Sequence, residues 1–274
     1  MGLFVNTNVT ALTAGSRIFD ANIALEKSFE RLSSGLRINS AADDAAGVKI
    51  VDAFESQMVG LRQGLRNAND GISLLQSAEG ALQESTTALQ RIRVLAVQAQ
   101  SGINNSADRA ALQQEVAALT SELSRIGSET QFAGFYLLNG SYSATFQIGA
   151  NAGQSLSINL SRTGGYGASG LGVGGISVAT DALASAALTA VDTALSSIGR
   201  ERADIGATEN RFQSLIRNFS NTESNLASAR TRIEDADYAG ETATLTRNQI
   251  ILQAGTAILS QANNSPQIAL QLLG

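Results

Sequence analysis

The stretch VDAFESQMVGLRQGLRNANDGISLL, residues 51–75, decides the fold, because its apolar residues recur in a strict heptad. Every a and d position of this frame is apolar: Val51, Phe54, Met58, Leu61, Leu65, Ala68, Ile72 and Leu75. The stripe continues less strictly through Leu82, Leu89, Ile92, Ala96 and Ala99. A pattern of this length predicts one helix of about 55 residues, about 80 Å long.

A second heptad frame lies nearer the C-terminus. Its positions are Leu188, Val191, Leu195, Ile198, Arg202, Ile205, Glu209, Phe212, Ile216, Phe219, Glu223, Leu226, Arg230 and Ile233. Charged side chains at seam positions lower stability but can fix the register and choice of partner helix. Between the two frames, SADRAALQQEVAALTSELSRIG (residues 106–127) has the pattern of a shorter amphipathic helix. We expect long antiparallel helical rods packed as a coiled-coil-like bundle, so the fold class is mainly α.

The composition excludes many kinds of chemistry. The chain has 274 residues, of which 43% are hydrophobic, and it contains no His, Cys or Trp. Histidine triads, cysteine nucleophiles and metal sites built on nitrogen or sulfur are therefore excluded. A net charge of −5 argues against nucleic acid as the main partner, because phosphate binding needs a basic face. We predict no enzyme activity, no catalytic residues, no metal and no cofactor.

Residues 131–180 have a different character. They include a single charged residue, Arg162, and many glycines, and they contain the alternating runs SATFQIG and SLSINL. Alternation bounded by glycine-containing turns predicts a small β-hairpin region. Because the segment lies midway between the two long helices in the chain, we expect it to form the tip of the rod.

The two ends of the chain lack charge. Residues 1–16 and 248–274 carry no charged side chain. Helical stripes nevertheless run through both ends, at Ile18, Leu25, Phe29 and Leu32 and at Leu245, Leu252 and Leu259. A helix exposed in a monomer normally has a charged face, so we predict that these ends are poorly ordered alone and fold against copies of the same chain.

Two other motifs have simpler interpretations. Gly165, Gly167 and Gly170 match the spacing of a dinucleotide loop, but more glycine follows instead of a helix, which favours a flexible loop. The clusters Asp43/Asp44 and Glu234/Asp235/Asp237 lie where long helical patterns break. This position favours helix capping over acid–base or calcium chemistry, although a carboxylate-based hydrolase stays as a minor alternative.

Several segments resemble bacterial flagellin. They are LSSGLRINSAADDAAG (32–47), NDGISLLQSAEGAL (69–82), LQRIRVLAVQ (89–98), ETQFAGFYLLNG (129–140) and the C-terminal stretch that begins at RIEDADYAG (232–240). The resemblance covers nearly the whole chain in the same order, except from about residue 142 to 180. It implies a short flagellin without large outer domains, in which residues 1–43 and 237–274 form a terminal helical core, residues 44–130 and 181–236 the rod, and residues 131–180 its tip.

The resemblance also implies a function and partners. Flagellin is the subunit that polymerises into the extracellular filament of the bacterial flagellum, and its paired terminal helices line the inner tube. Subunits of the family are exported through a type III apparatus with the help of a chaperone and are added under a filament cap. Arg91, Leu95 and Glu115 match family positions that contact the animal Toll-like receptor for flagellin, whereas Val94 departs from the pattern.

Two alternatives stay open at this point. A hook-filament junction protein would share the terminal helices but act in few copies. A secreted membrane-active translocator could insert its uncharged amphipathic ends, but helices at membrane interfaces usually carry Lys or Arg, so we predict no membrane insertion. No cleavable signal peptide is readable at the N-terminus, and no uninterrupted apolar stretch has the roughly 18 residues that span a bilayer.

Overall fold

A computed structural model describes residues 7–271, with side-chain detail up to residue 265. The described chain contains five helices and four short strands, which confirms the mainly α fold. The elements are α1 (Val9–Ser34), α2 (Ala45–Ala99), α3 (Ser106–Glu129), β1 (Gln131–Phe132), β2 (Phe135–Tyr136), β3 (Ser143–Gln147), β4 (Ser155–Asn159), α4 (Asp181–Glu234) and α5 (Tyr238–Gln271).

The chain divides into two compact units, and each is described here by itself. One unit contains the residues up to Ser56 together with those from Ser224 onward, and the other contains Gln57–Glu223. Both divisions lie inside the long helices α2 and α4. The predicted functional division at residues 43 and 237 stays a prediction, because compactness alone does not test it.

In the Gln57–Glu223 unit, the two heptad stripes form the core. The a and d positions from Met58 to Leu75 are all buried or half-buried, and so are those of α4 from Leu188 to Glu223. The helices run antiparallel, because Arg93 of α2 pairs with Asp192 near the start of α4, whereas Arg62 pairs with Glu223 far along it. Burial of facing apolar stripes is the main stabilising contribution to such a pair.

Helix α3 returns along α2 and begins with a reciprocal cap. Asn105 accepts hydrogen bonds from the backbone N–H groups of Ala107 and Asp108, while the Asp108 carboxylate accepts one from the Asn105 N–H. This capping box satisfies N–H groups that the first turn of a helix leaves without partners. Val116 and Leu123 of α3 are fully buried in the core of the unit, as the amphipathic pattern predicts.

The predicted hairpin forms and packs along the side of α2. Strands β3 and β4 pair antiparallel from Ser143↔Asn159 to Gln147↔Ser155. The Asn67 side-chain amide donates a hydrogen bond to the carbonyl oxygen of Gln147 at 2.6 Å. Gly64 lets the backbone of Ile148 approach so closely that a methyl group at this position would overlap its carbonyl oxygen. The hairpin therefore packs against the side of α2, and its assignment as the tip of the rod stays a prediction.

The glycine-rich loop after β4 is packed rather than flexible, so that part of its sequence interpretation is wrong. Tyr166 in this loop is 1% exposed. Gly164 and Gly165 adopt positive φ angles of 82° and 70°, which are accessible to glycine at little cost. Gly127 of α3 lies against the backbone of Gly167, where a side chain would collide. The loop is thus a close-packed cover on the helices and not the turn between a strand and a helix that holds a dinucleotide.

In the other unit, α1 and α5 pair antiparallel. Asn8, before α1, donates to the carbonyl oxygen of Ala262 at 2.7 Å, and Arg31 near the end of α1 lies 3.6 Å from Glu241 near the start of α5. Small residues allow the helices to approach closely, as where Gly255 faces Ile18. The buried residues along this pair are Ala14, Ala21, Ser28, Asn248 and Ala262.

The acidic clusters act as caps and connectors, which confirms their sequence interpretation. Asp44 accepts from the Gly47 N–H at 2.8 Å at the start of α2, and Asp237 accepts from the Ala239 N–H at 3.0 Å at the start of α5. Asp235 forms an isolated antiparallel bridge with Leu36, and Glu234 pairs with Arg230. The Asp44 and Asp237 carboxylates cap helix starts, Glu234 pairs at the end of α4, and the backbone of Asp235 forms the link to Leu36, so these positions need no catalytic explanation.

Within the described residues, α4 is long and apolar enough, by length and composition alone, to cross a bilayer. Polar residues interrupt its apolar runs, so no uninterrupted apolar stretch marks this segment in the sequence. Its apolar side chains Ala184, Ala187, Val191, Ala194 and Ile198 belong to the core of the Gln57–Glu223 unit. Core helices of water-soluble bundles have the same composition, so this property is weak evidence for a membrane span.

Candidate assembly surface

Helix α1 is apolar on two opposite faces. One face carries Ala14, Ala21 and Ser28, which are buried against α5. At 100° of rotation per residue, Val9, Leu12, Phe19 and Ile23 project from the other side of the helix. These side chains are exposed, with Leu12 at 67% and Phe19 at 64%. A helix that is apolar on both sides is stable in water only when both sides are covered.

Helix α5 shows the same feature. Ile250 is 60% exposed and projects opposite Asn248, which is buried against α1. Ile251 and Ile258 are also exposed and lie on a flank of the helix. No charged residue occurs from residue 248 onward, so this part of the helix lacks the charged side chains that normally help to keep an exposed helix soluble. We call the exposed apolar residues of α1 and α5 the outer face of the terminal pair.

The structure separates the predicted assembly residues into two groups. Ile18, Leu25 and Leu32 of α1 and Leu245, Leu252 and Leu259 of α5 are half-buried on the sides of the two helices that face each other. Phe29 is 51% exposed. The first six thus stabilise the pair within one chain, and their predicted role between chains stays a prediction.

Sequence reasoning missed Val9, Leu12, Phe19, Ile23 and Ile250 as candidates. It followed one heptad stripe in each end and treated the remaining positions as polar. The signal that identifies them is the second apolar stripe about 180° from the first.

The connector beside the terminal pair is held by an ion pair. Lys27 Nζ lies 2.7 Å from Asp43, which also accepts hydrogen bonds from the backbone N–H groups of Asn39 and Ser40. The hydrogen bond from Lys27, aided by those backbone donors, lowers the pKa of Asp43 to about 2. Hydrogen bonds to the charged form of a carboxylate favour ionisation, so this contact is fully formed at neutral pH.

The predicted receptor residues do not share one surface. Arg91 of α2 and Glu115 of α3 are exposed enough to be touched, and they pair with each other at 2.7 Å. This hydrogen bond raises the pKa of Arg91. Leu95 is only 1% exposed and packs in the core, so it does not lie on the surface with Arg91 and Glu115, and its predicted contact stays a prediction. The exposed apolar neighbours are Val94, at 56%, and Val97, at 50%.

Sequence comparison identifies the family. Residues 5–143 match the profile of the bacterial flagellin N-terminal helical region, and residues 188–273 match that of the bacterial flagellin C-terminal helical region. The chain belongs to the bacterial flagellin family. The N-terminal profile covers α1, α2 and α3, and the C-terminal profile covers most of α4 and α5. Residues 144–187, which include most of the glycine-rich segment, lie outside both profiles.

Individual flagellins support this assignment over the full length. Flagellin of Bacillus subtilis is 40% identical, with 98% of this chain and 99% of the relative covered. Flagellin E of Vibrio cholerae is 35% identical, with both chains fully covered. That alignment extends over 379 positions, against 274 residues in this chain, so the Vibrio protein contains a sizeable insertion and this chain is a short form.

Solved structures show the same fold. The crystal structure of Bacillus cereus flagellin superposes with a TM-score of 0.51 at 29% identity, covering 60% of this chain and 94% of the other. A protein of Vibrio parahaemolyticus described as flagellar hook-associated gives a TM-score of 0.58 at 16% identity, covering 70% of this chain and all of the other. The second likeness is one of fold alone. This flagellin is a structural subunit of the flagellar filament, and the relatives favour neither the junction nor the translocator alternative.

Proposed function

We propose that the outer face of the terminal pair is the surface through which this flagellin polymerises. The observation that carries the proposal is the second apolar face of α1, formed by Val9, Leu12, Phe19 and Ile23. In a single chain these side chains would be exposed to water, and contact with another copy would bury them. Burial of apolar surface yields roughly 25 cal/mol per Å², so several such side chains at each of many contacts favour a polymer.

The difference between the two outer faces is compatible with an open filament. The outer face of α1 differs from that of α5 in sequence and in the placement of its isoleucines, so a contact between them joins unlike surfaces. Unlike surfaces form heterologous contacts, which propagate as a helical polymer when the rotation does not close. The paired terminal helices would then line the inner tube of the filament, as the family resemblance implies.

Order in the terminal helices would be coupled to assembly. The fully buried residues of the α1–α5 pair are small, such as Ala14 and Ala21, and bury little apolar area, while the larger apolar side chains between the helices are only half-buried. The large apolar side chains of the outer face would be covered only by neighbouring copies. A chain with poorly ordered ends suits export through a type III apparatus, with a chaperone, and addition under a cap at an extracellular tip.

A receptor contact is a second candidate role for the rod. Arg91 and Glu115 are exposed on neighbouring helices, and Val94 projects beside them. We propose that any contact with the Toll-like receptor uses these three residues and not Leu95. Binding of the purified chain to the receptor ectodomain should then weaken in Arg91→Ala, and an unchanged affinity would remove Arg91 from this surface.

Electron microscopy of the purified chain under polymerising conditions tests the main proposal. The natural chain should form filaments, whereas Phe19→Ser and Ile23→Ser should leave soluble subunits whose Gln57–Glu223 unit keeps its helical circular dichroism. Ile103→Ser is the matched control, because Ile103 is 90% exposed but lies outside the terminal pair, in the loop after α2. Filaments of normal number and length in both terminal variants would overturn the proposal.

Truncation supplies a second test. A chain that ends at Arg247 lacks most of α5 but retains all of the Gln57–Glu223 unit. We expect it to stay folded in that unit and to sediment as a monomer. Abundance in sheared surface material separates a filament subunit, which would dominate the sample, from a junction protein present in few copies.

A further inference from the structure

Two ion pairs of opposite polarity join α2 and α4 at positions one heptad apart. Arg62 of α2 lies 2.5 Å from Glu223 of α4, and Glu55 of α2 lies 2.7 Å from Arg230 of α4. Seven residues separate the two members on each helix. Residues at this spacing lie on the same helix face, so each helix presents one negative and one positive side chain to the other.

A third ion pair of the same seam is also followed by a reversal of charge on α4. Arg202 of α4 lies 2.7 Å from Glu79 of α2. One heptad after Arg202 comes Glu209, which has the opposite charge and occupies the same position of the heptad frame. The next heptad of α4 therefore carries a side chain that Glu79 would repel.

A fourth ion pair differs from these three. Arg93 of α2 lies 2.8 Å from Asp192 of α4. The residues one heptad before and after Asp192 are Ser185 and Gly199, which are neutral. This pair supports the native register without opposing a neighbouring one, so it supplies a natural control.

The nearest competitor of the native register is a slip of α4 along α2 by one heptad. A shift of seven residues brings a and d positions of the two helices back into contact, because the apolar pattern repeats at that spacing. Both heptad frames extend over many heptads, so slipped helices would still bury most of their apolar stripes. The apolar seam therefore discriminates only weakly between the native register and its neighbours.

A slip in one direction brings like charges together at two places. Arg230 takes the position of Glu223 and meets Arg62, so two guanidinium groups face each other. In the same slip Glu209 takes the position of Arg202. Two carboxylates then meet, because the side chain opposite that position is Glu79.

A slip in the other direction is also unfavourable. Glu223 takes the position of Arg230 and meets Glu55, so two carboxylates face each other. Arg202 moves away from Glu79 by one heptad and comes to lie against Ile72, an apolar seam position of α2. A cation held against an apolar side chain loses both its partner and part of its hydration.

The exposure of these ion pairs argues against a mainly stabilising role. Their side chains are between 24% and 52% exposed. Exposed ion pairs contribute little to the free energy of unfolding. Charges along a helix pair nevertheless determine which partner and which register are chosen, because contacts between like charges oppose the alternatives.

We propose that the order of charges along α2 and α4 selects the register of this helix pair. The native register joins opposite charges at each contact, and a one-heptad slip in either direction brings like charges together. The apolar stripes supply most of the attraction between the helices, while the charges determine which turns meet. This selection operates within one chain and does not depend on the surface through which copies assemble.

An exchange of charges separates register selection from simple stabilisation. In Arg62→Glu combined with Glu223→Arg, the native contact still joins opposite charges. Both slipped registers become attractive at this site, because the new glutamate on α2 would meet Arg230 and the new arginine on α4 would meet Glu55. Arg93→Asp combined with Asp192→Arg is the matched control, because it preserves its native contact and meets neutral side chains of α4 in both slipped registers.

Pulsed electron paramagnetic resonance of the full chain measures the register directly. The natural sequence contains no cysteine, so Ser77→Cys on α2 and Ser196→Cys on α4 supply two unique sites for spin labels. Both serines are exposed. A slip of one heptad changes the separation of the labels along the helix axis by about 10 Å.

The label separation is measured in samples frozen during and after refolding from urea. We expect one separation in the chain with natural charges and in the control exchange, and a second one, displaced by about 10 Å, in the exchange at Arg62 and Glu223. Arg62→Gln combined with Glu223→Gln removes the repulsion without adding attraction, so the second separation should appear there in a smaller fraction of molecules. A single separation in both of these variants, or an equal second separation in the control exchange, would overturn the proposal.

Discussion

Arg230 of α4 donates a hydrogen bond to Glu55 of α2 across 2.7 Å, and it binds Glu234 on its own helix at 2.6 Å. One guanidinium therefore joins two helices and also stabilises the last turn of α4. The contact lies at an a-type position of the second heptad frame, where an apolar residue would be usual. It fixes which turns of α2 and α4 face each other beside the terminal pair.

Replacement of Arg230 should lower the free energy of unfolding more than replacement of Glu55. Arg230→Ala should lower the free energy of unfolding by about 1 kcal/mol, because both contacts are lost, whereas Glu55→Ala should cost less, because Arg230 keeps Glu234. All three side chains are partly exposed, which limits the effect. Urea unfolding followed by circular dichroism at low and high salt measures it, and a larger loss in Glu55→Ala would contradict the bridging role.

Acid should release the contact between Lys27 and Asp43. Because the pKa of Asp43 is lowered to about 2, its contribution to stability is present above the unfolded pKa of Asp, about 3.9, and is lost as the pH falls toward 2. Asp43→Asn should be less stable than the natural chain at pH 6, and the two should converge near pH 2. Asp52→Asn, an exposed position on α2, is the control. Parallel curves over the whole range would show that the contact does not contribute.

Two glycines of α2 should respond oppositely to a methyl group. Gly64→Ala should lower the free energy of unfolding by about 1 to 3 kcal/mol, because the new methyl group collides with the Ile148 carbonyl and pushes the hairpin off the helix. Gly80→Ala meets open space, and it should raise stability by up to about 1 kcal/mol through helix propensity alone. Urea unfolding of both variants measures the difference, and equal effects would mean that the hairpin does not rest on Gly64.

The sequence was sufficient to predict the helices and their buried faces. Apolar residues at heptad spacing from Val51 to Leu75 can lie on one helix face only, and burial of that face follows from the hydrophobic effect. The strands were predictable for a similar reason, because SATFQIG and SLSINL alternate and β3 and β4 coincide with them. Local periodicity contains this information without knowledge of the rest of the fold.

The positions of these elements against each other were not predictable in the same way. The hairpin lies where Gly60 and Gly64 leave room on α2. The heptad frame, however, assigns neither position to the buried seam. The polar seam residues could be identified, but the partner of Arg202 or Arg230 depends on the stagger of two helices, which a single helix pattern does not contain. The outer face of α1 was not predictable from one heptad stripe, because charged residues such as Arg17 and Asp20 are interleaved with its apolar residues in the sequence.

Hydrogen exchange in the terminal helices tests the central claim most directly. The account holds that α1 and α5 are covered on both sides only when neighbouring copies are present. Mass spectrometry should therefore find fast amide exchange across residues 9–34 and 238–271 in the dilute single chain and strong protection of both in the polymer. The Gln57–Glu223 unit should be protected in both states. Equal protection of the terminal helices in the single chain and the polymer would contradict the account.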